Sequence, residues 1–520
     1  MTAVLEARVE APVHTGLPAP KGLRRPSWEA LLKAALVLVA ATVQSVGVFG
    51  FPALADDEGT YSAQAWAVQH GELAHYTYWY DHPPLGWIQL GALDWLPRLL
   101  FPGVQPVAAD RLVIVLANLV SALLLYTLAR RLDVGPVAAS AAVLLFAVSP
   151  LTVTLGRQVY LDSLATLWVL AALVLVVNRR SHLWQHVAAG ACFAAAVLTK
   201  ETTLVLVVAV GWALLQHAHP RTRAFSVVGF LGGFGLAGMF YPLMALLRGE
   251  LVPGPGHVSL LGGAVFQLAS RPGSGAVWDS ASDARTVVDG WLFFDPWLVV
   301  LGLVGLPLAL ASRRLRPVGV ALTTVVLVGL RPGGYLPAMY VIGALPFLAL
   351  CAAGAADLVW QWTSAHGAAV RRAGQALLVA ATVLLVVAMT PKWYGGLTGA
   401  MATDTSGPRR AAEDWIAANT GPQSTVLVDD VSWVGLVAGQ HLPRSRVVWF
   451  YKLDTDPAVQ AEFPQGWRDV DYVLATGELR AAIGSDPSLR QGAAALAESR
   501  VAATFGSGDA AVTVLEVRNR

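Results

Sequence analysis

The chain has 520 residues, of which 55% are hydrophobic and only 13% charged, with a mean hydropathy of +0.56. Soluble domains carry about 25% charged residues, so the composition excludes an ordinary soluble enzyme and predicts a polytopic α-helical membrane protein. A net charge of +2 leaves no basic surplus for a nucleic-acid partner, and none is expected.

Residues 1–28 are polar and rich in proline and read as a disordered cytoplasmic tail. The first apolar run, 30–51, ends near Ala53-Leu54-Ala55, a triplet resembling a signal-cleavage site. The run exceeds the 7–15 residues of a signal-peptide core, so it is read as a retained anchor. An outer segment, 52–106, follows with Trp66, Tyr76, Tyr78, Trp79, Tyr80, Trp87 and Trp95, and 61–68 has helical spacing. Aromatic amphipathic helices at the membrane interface account for both features.

Spans two to seven are expected at 107–129, 135–155, 161–178, 185–199, 202–217 and 225–247. A second long outer segment, 248–291, rich in Gly and Pro, carries His257, Arg271 and Arg285. Four further spans are expected at 293–311, 317–330, 335–358 and 373–390. Each run is near the roughly 17–25 residues that cross a bilayer, about eleven helices in all within a module of residues 29–391. From 392 to 520 helix-like stretches (409–419, 485–498) alternate with β-rich runs at 424–428, 446–451, 471–475, 501–505 and 511–517. That alternation predicts a small C-terminal α/β domain.

Charge sets the expected orientation. Arg24-Arg25, Arg130-Arg131, Arg179-Arg180, Arg221 with Arg223, Arg313-Arg314 and Arg371-Arg372 occupy every second gap between apolar runs. Short cytoplasmic loops collect Lys and Arg. The N-terminus is therefore placed in the cytoplasm and the C-terminal domain outside, in a plasma (inner) membrane. Cys192 and Cys351 each fall inside a span and are read as buried thiols.

Chemistry concentrates in the acidic gaps. Asp56-Asp57-Glu58-Gly59-Thr60-Tyr61 follows the first span, and Asp81-His82-Pro83-Pro84-Leu85-Gly86 comes about twenty residues later. Ionisable groups at a membrane edge are costly and mark function. The alternative for Asp57 and Glu58 is a helix N-terminus, which favours acids. Lys200 is one of five lysines and stands beside Glu201; a snorkelling ion pair is its plain reading. Arg157 and Asp162 bracket another turn, and Arg331-Pro-Gly-Gly-Tyr335 closes span nine.

These motifs resemble the GT-C membrane glycosyltransferases, within the family 39 branch that holds protein O-mannosyltransferases and aminoarabinose transferases. Asp57-Glu58 matches the branch's first-loop acid pair, and His82-Pro83-Pro84-Leu85-Gly86 matches its His-Pro-Pro-Leu-Gly segment. Arg331 to Pro337 is similar to its Arg-Tyr-x-x-Pro segment with two added glycines. The resemblance implies a GT-C-like fold and an inverting transferase of hexosyl or pentosyl type. Such an enzyme moves a monosaccharide from a polyprenyl-phosphate donor to a glycan, protein or lipid acceptor on the outer face.

That chemistry requires a base for the acceptor and positive charge for the departing phosphate. Asp57 is the expected base, assisted by Glu58 and Asp81; crowding by Asp56 should raise at least one carboxyl pKa. His82, Lys200, Arg157 and Arg331 are the expected phosphate ligands, and Tyr61 and Tyr335 further candidates. The residues specify no cofactor and leave metal dependence open: Asp57, Asp81 and His82 would suffice for a loose divalent-cation site. Two rival readings remain: a transporter or lipid flippase, which places ionisable groups in mid-span, and a non-catalytic scaffold.

Overall fold

A computed structural model describes residues 27–178 and 182–518. The N-terminal tail up to residue 26, with Arg24-Arg25, and Arg179-Arg180 lie outside the described residues.

Helix α1 (Trp28–Ser45) starts at Ser27, whose hydroxyl accepts from the Ala30 amide. It ends six residues before the expected limit, and a cause is visible. Arg157 donates to the carbonyls of Gln44, Val46 and Phe51, while Arg111 donates to those of Val48, Pro52 and Ala53. Two buried guanidinium groups thus satisfy the backbone of an unwound segment that would otherwise carry orphan carbonyls. Helices α2 (Asp56–Gln69), α3 (Leu85–Leu93) and α4 (Trp95–Leu100) fill the expected outer segment.

The membrane module continues with α5 (Pro106–Arg131), α6 (Pro136–Val148), α7 (Leu161–Val176), α8 (Leu183–Thr199) and α9 (Val207–His217). Next come α10 (Arg223–Gly238), α11 (Phe240–Leu247) and the short α12 (Leu260–Val265). Small residues set the closest approach among them. A Cβ on Gly190 of α8 would stand 2.0 Å from the Phe230 carbonyl oxygen, and one on Gly233 of α10 would stand 2.1 Å from that of Val187. With no solvent-driven hydrophobic force between helices in lipid, such backbone contact is what packs them.

The chain then forms α13 (Asp283–Phe294), α14 (Pro296–Ala311), α15 (Arg316–Gly329), α16 (Leu345–Ser364) and α17 (Ala368–Ala402). Between α13 and α14 the axis turns by 103°. Asp295 sits at that corner, fully buried, capping α14 and accepting from Ser149 at 2.6 Å. Among the described residues five helices qualify as membrane spans by length and composition, or six if this bent pair counts as one. The other expected spans correspond to apolar helices of 10–17 residues, including α6, α7, α8, α9 with its lead-in turn, and α15. Helix α17 runs through Lys392 without interruption, so the composition change at 392 is not a structural break.

Beyond α18 (Gly407–Asn419) lies a five-stranded sheet in the order β2-β1-β3-β5-β4. Its strands are β1 (Val426–Val428), β2 (Val447–Trp449), β3 (Tyr472–Ala475), β4 (Ser499–Phe505) and β5 (Val512–Val517). Strands β1, β2 and β3 are parallel, whereas β5 runs antiparallel to β3 and β4. Four fall within the β-rich runs read from the sequence, and β4 starts two residues before its run. Short helices α19 (Asp430–Val434) and α20 (Lys452–Thr455) follow β1 and β2, and α19 packs against α2 and α5.

Candidate active site

The two motifs of the first outer segment meet at α2. Three acids occupy its first turn, where the helix dipole favours negative charge. They point in three directions, and their environments separate them.

Glu58 turns inward and is fully buried. Arg111 grips it in a two-pronged ion pair of 2.6 and 2.8 Å. Gln158, the Val159 amide and the Ala55 amide donate to the same carboxylate at 2.9–3.1 Å. With its lone pairs occupied, Glu58 fixes the helix start and is not free to act on a substrate. Arg157 belongs to the same structural layer and does not join the expected phosphate ligands. Arg111 was not singled out from sequence, yet the signal existed: a cation embedded at the start of a long apolar run.

Asp56 turns toward the C-terminal domain. Burial, then the neighbouring carboxylates Asp429, Asp430 and Glu478, push its pKa up to about 8 against the pull of Arg409. The expected raised carboxyl in this cluster is therefore Asp56. Arg409 donates to both oxygens of Asp429 at 2.6 Å and to Glu478 at 3.1 Å. Asp56, Asp429 and Glu478 are the acids whose oxygens converge within 4.8 Å among the described residues, and Arg409 already pairs with two of them, Asp429 and Glu478.

Asp57 points elsewhere. Its carboxylate is half-buried and has no hydrogen-bond or ion-pair partner among the described residues. It lies within electrostatic range of Tyr61 and Lys200. Lys200, 6% exposed, occupies the break between α8 and the turn leading into α9. Its ammonium stands 3.1 Å from His82 Nε2, 3.8 Å from Asp162 and 5.9 Å from the Tyr61 ring. The other His82 nitrogen, Nδ1, stands 2.9 Å from Glu201. Because an ammonium only donates, His82 Nε2 accepts and Nδ1–H donates to Glu201. His82 thus braces Lys200 and offers no lone pair to a metal, so Asp57, Asp81 and His82 do not fit the expected cation site. Burial, reinforced by Asp57, Asp162, Asp81 and Glu201, holds the Tyr61 phenol well above its ordinary pKa.

Asp81 is exposed, its side chain accepting from the His82 amide at 3.0 Å. Arg331 is also exposed and donates to the Val328 carbonyl at 2.7 Å, capping the end of α15. Tyr335 stacks under Arg271 at 3.5 Å and makes no hydrogen bond to the His82 group among the described residues. Asp57, Tyr61, Asp81, His82 and Lys200 therefore come together, joined by Glu201 and Asp162. Glu58, Asp56, Arg157 and Tyr335 do not join them.

Comparisons with known proteins bear on the fold. Residues 81–245 match the model of the dolichyl-phosphate-mannose-protein mannosyltransferase family. A search of curated proteins found no match. The crystal structure of ArnT from Cupriavidus metallidurans superposes with a TM-score of 0.58 at 16% identity, covering 93% of this chain and 97% of that one. The oligosaccharyltransferase of Archaeoglobus fulgidus gives 0.54 at 14% identity, covering 90% and 72%. Mycobacterial arabinofuranosyltransferase AftD gives 0.52 at 17% identity, covering 95% of this chain and 40% of that one. The resemblance read from the first-loop motifs is borne out, and the chain carries the fold of the GT-C membrane glycosyltransferases.

Proposed function

We propose that the protein is an inverting glycosyltransferase that moves a monosaccharide from polyprenyl phosphate to an acceptor at the outer membrane surface. The observation that carries this reading is a half-buried Asp57 carboxylate, without a hydrogen-bond or ion-pair partner among the described residues, within electrostatic range of a buried, braced lysine. One group suits a base and the other suits a phosphate. ArnT has been crystallised bound to undecaprenyl phosphate, with a TM-score of 0.56 to this chain at 16% identity.

In the proposed step an acceptor hydroxyl or amine attacks the anomeric carbon while Asp57 takes its proton. The bond from that carbon to the phosphate oxygen breaks, and its electron pair leaves with the phosphate. Lys200 meets the growing charge, held in place by His82, Glu201 and Asp162. One direct displacement inverts the anomeric configuration. About eleven crossings, an extracytoplasmic C-terminal domain and a plasma-membrane location complete the reading.

The test is release of free polyprenyl phosphate by purified protein offered a panel of polyprenyl-phosphate sugars and crude membranes as acceptor. Wild type should release it and Asp57→Asn should not. A chelator lane decides whether any divalent ion takes part. No release from any donor by folded wild-type protein would overturn the proposal.

A further inference from the structure

The C-terminal domain grips the first outer segment where the expected active site begins. Asp456, fully buried, accepts from the Thr77 hydroxyl at 2.9 Å and from its amide at 3.3 Å. The Tyr76 hydroxyl accepts from the Trp449 amide at 3.1 Å. Between these contacts sits Lys452, 7% exposed. Its ammonium lies 5.3–6.0 Å from the ring centres of Tyr451, Tyr76, Trp79 and Trp449. It makes no hydrogen bond among the described residues, and its ion-pair partner, Asp456, stands 3.9 Å away.

Tyr451 donates to Asp430 at 3.1 Å, and Asp430 also accepts from Thr60 on α2, so the aromatic group borders the helix that carries Asp57. Two buried polar atoms in the same cluster lack partners: the Trp449 indole N–H, a donor, and Asp430 Oδ1, an acceptor. Trp79 is 44% exposed while the other three rings are buried or half-buried. A further anion is a poor match, because Asp456, Asp430 and Asp81 already surround the one ammonium. A neutral ring with C–H faces and many hydroxyls matches better. Aromatic faces take its apolar side, the ammonium donates to hydroxyl oxygens and the acids accept from hydroxyls.

We propose that Lys452, Trp79 and Tyr451 form a saccharide subsite that the C-terminal domain adds to the membrane active site. This rests on the glycosyl-transfer reading above. The ring belongs either to the donor or to the acceptor, and kinetics separate the two. With full-length protein, Lys452→Met and Trp79→Leu should raise one KM about tenfold with kcat largely kept. A donor sugar raises the KM for polyprenyl-phosphate sugar, and an acceptor sugar raises the KM for acceptor glycan.

Saturation-transfer NMR with a panel of methyl glycosides gives a readout independent of turnover. Wild type and Asp57→Asn should both saturate one of these sugars, and Trp79→Leu should lose that signal. If folded wild type releases no polyprenyl phosphate from any donor while the Trp79-dependent signal persists, the transfer reading fails and the subsite stands. If both KM values stay unchanged in both variants and no glycoside shows a Trp79-dependent signal, the subsite is overturned. Loss of thermal stability in Lys452→Met with unchanged KM would assign Lys452 a packing role and also overturn it.

Discussion

Three consecutive acids on one helical turn serve three ends, because side chains 100° apart on a helix meet different surroundings. Glu58 is saturated with donors and Asp56 is crowded by Asp429, Asp430 and Glu478, which leaves Asp57 as the base, so Asp57→Asn should lower turnover by about 10²–10⁴-fold, the usual worth of a general base. Its thermal unfolding should match wild type, measured on the same detergent-purified sample. Glu58 behaves in the opposite way. Removing Arg111 would strand a buried carboxylate at the cost of about 3–5 kcal/mol. Arg111→Met should therefore unfold far below wild type, and adding Glu58→Gln should recover part of the loss. Equal stability of the single and double variants would show that the pair is not what holds the start of α2.

The meeting of α2 with α19 depends on one missing side chain. A Cβ on Gly59 would lie 2.3 Å from the Val431 amide nitrogen and 2.4 Å from the Asp430 carbonyl carbon. Both are backbone atoms that cannot swing aside. Gly59→Val should prise the helices apart, break the Thr60–Asp430 hydrogen bond and expose the C-terminal domain to proteases. Limited proteolysis of wild type and variant, followed by activity, checks this; an unchanged digestion pattern would contradict it. The same glycine sits two positions after Asp57, so a shift here reaches the base directly.

For the molecule as a whole, the contact between the membrane module and the C-terminal domain is a proton-holding interface. Asp56 is raised to about 8, first by burial and then by Asp429, and Asp430 is raised to about 7, first by burial. A carboxyl raised in the folded state stays protonated while the unfolded chain has already released its proton. Stability from these groups is therefore full below the ordinary value of 3.8 and declines as pH rises, through about 7 for Asp430 and about 8 for Asp56. Thermal unfolding followed from pH 4 to pH 9 should show a falling trend, and Asp56→Asn should flatten it. A trend that rises through this window, or one untouched by the variant, would exclude the interface as its source.

Hydropathy, arginine spacing and the β-rich runs made the helical membrane class, the apolar runs and the five strands legible from residues alone. Local preference governs each of these. The first-loop motifs also carried the resemblance to GT-C transferases and picked out Asp57, Asp81, His82 and Lys200. Tertiary structure decided which acids are free. No local rule separates Asp57 from Glu58; the difference is Arg111 arriving from α5, some fifty residues on. The early end of α1 likewise depends on Arg157 and Arg111, whose guanidinium groups supply donors that hydropathy does not register. The role of the C-terminal domain was hidden for the same reason. Lys452 lies more than 250 residues from Lys200 along the chain, yet folding brings both within electrostatic range of Asp81, and long-range electrostatics of that kind exist only once the chain has closed.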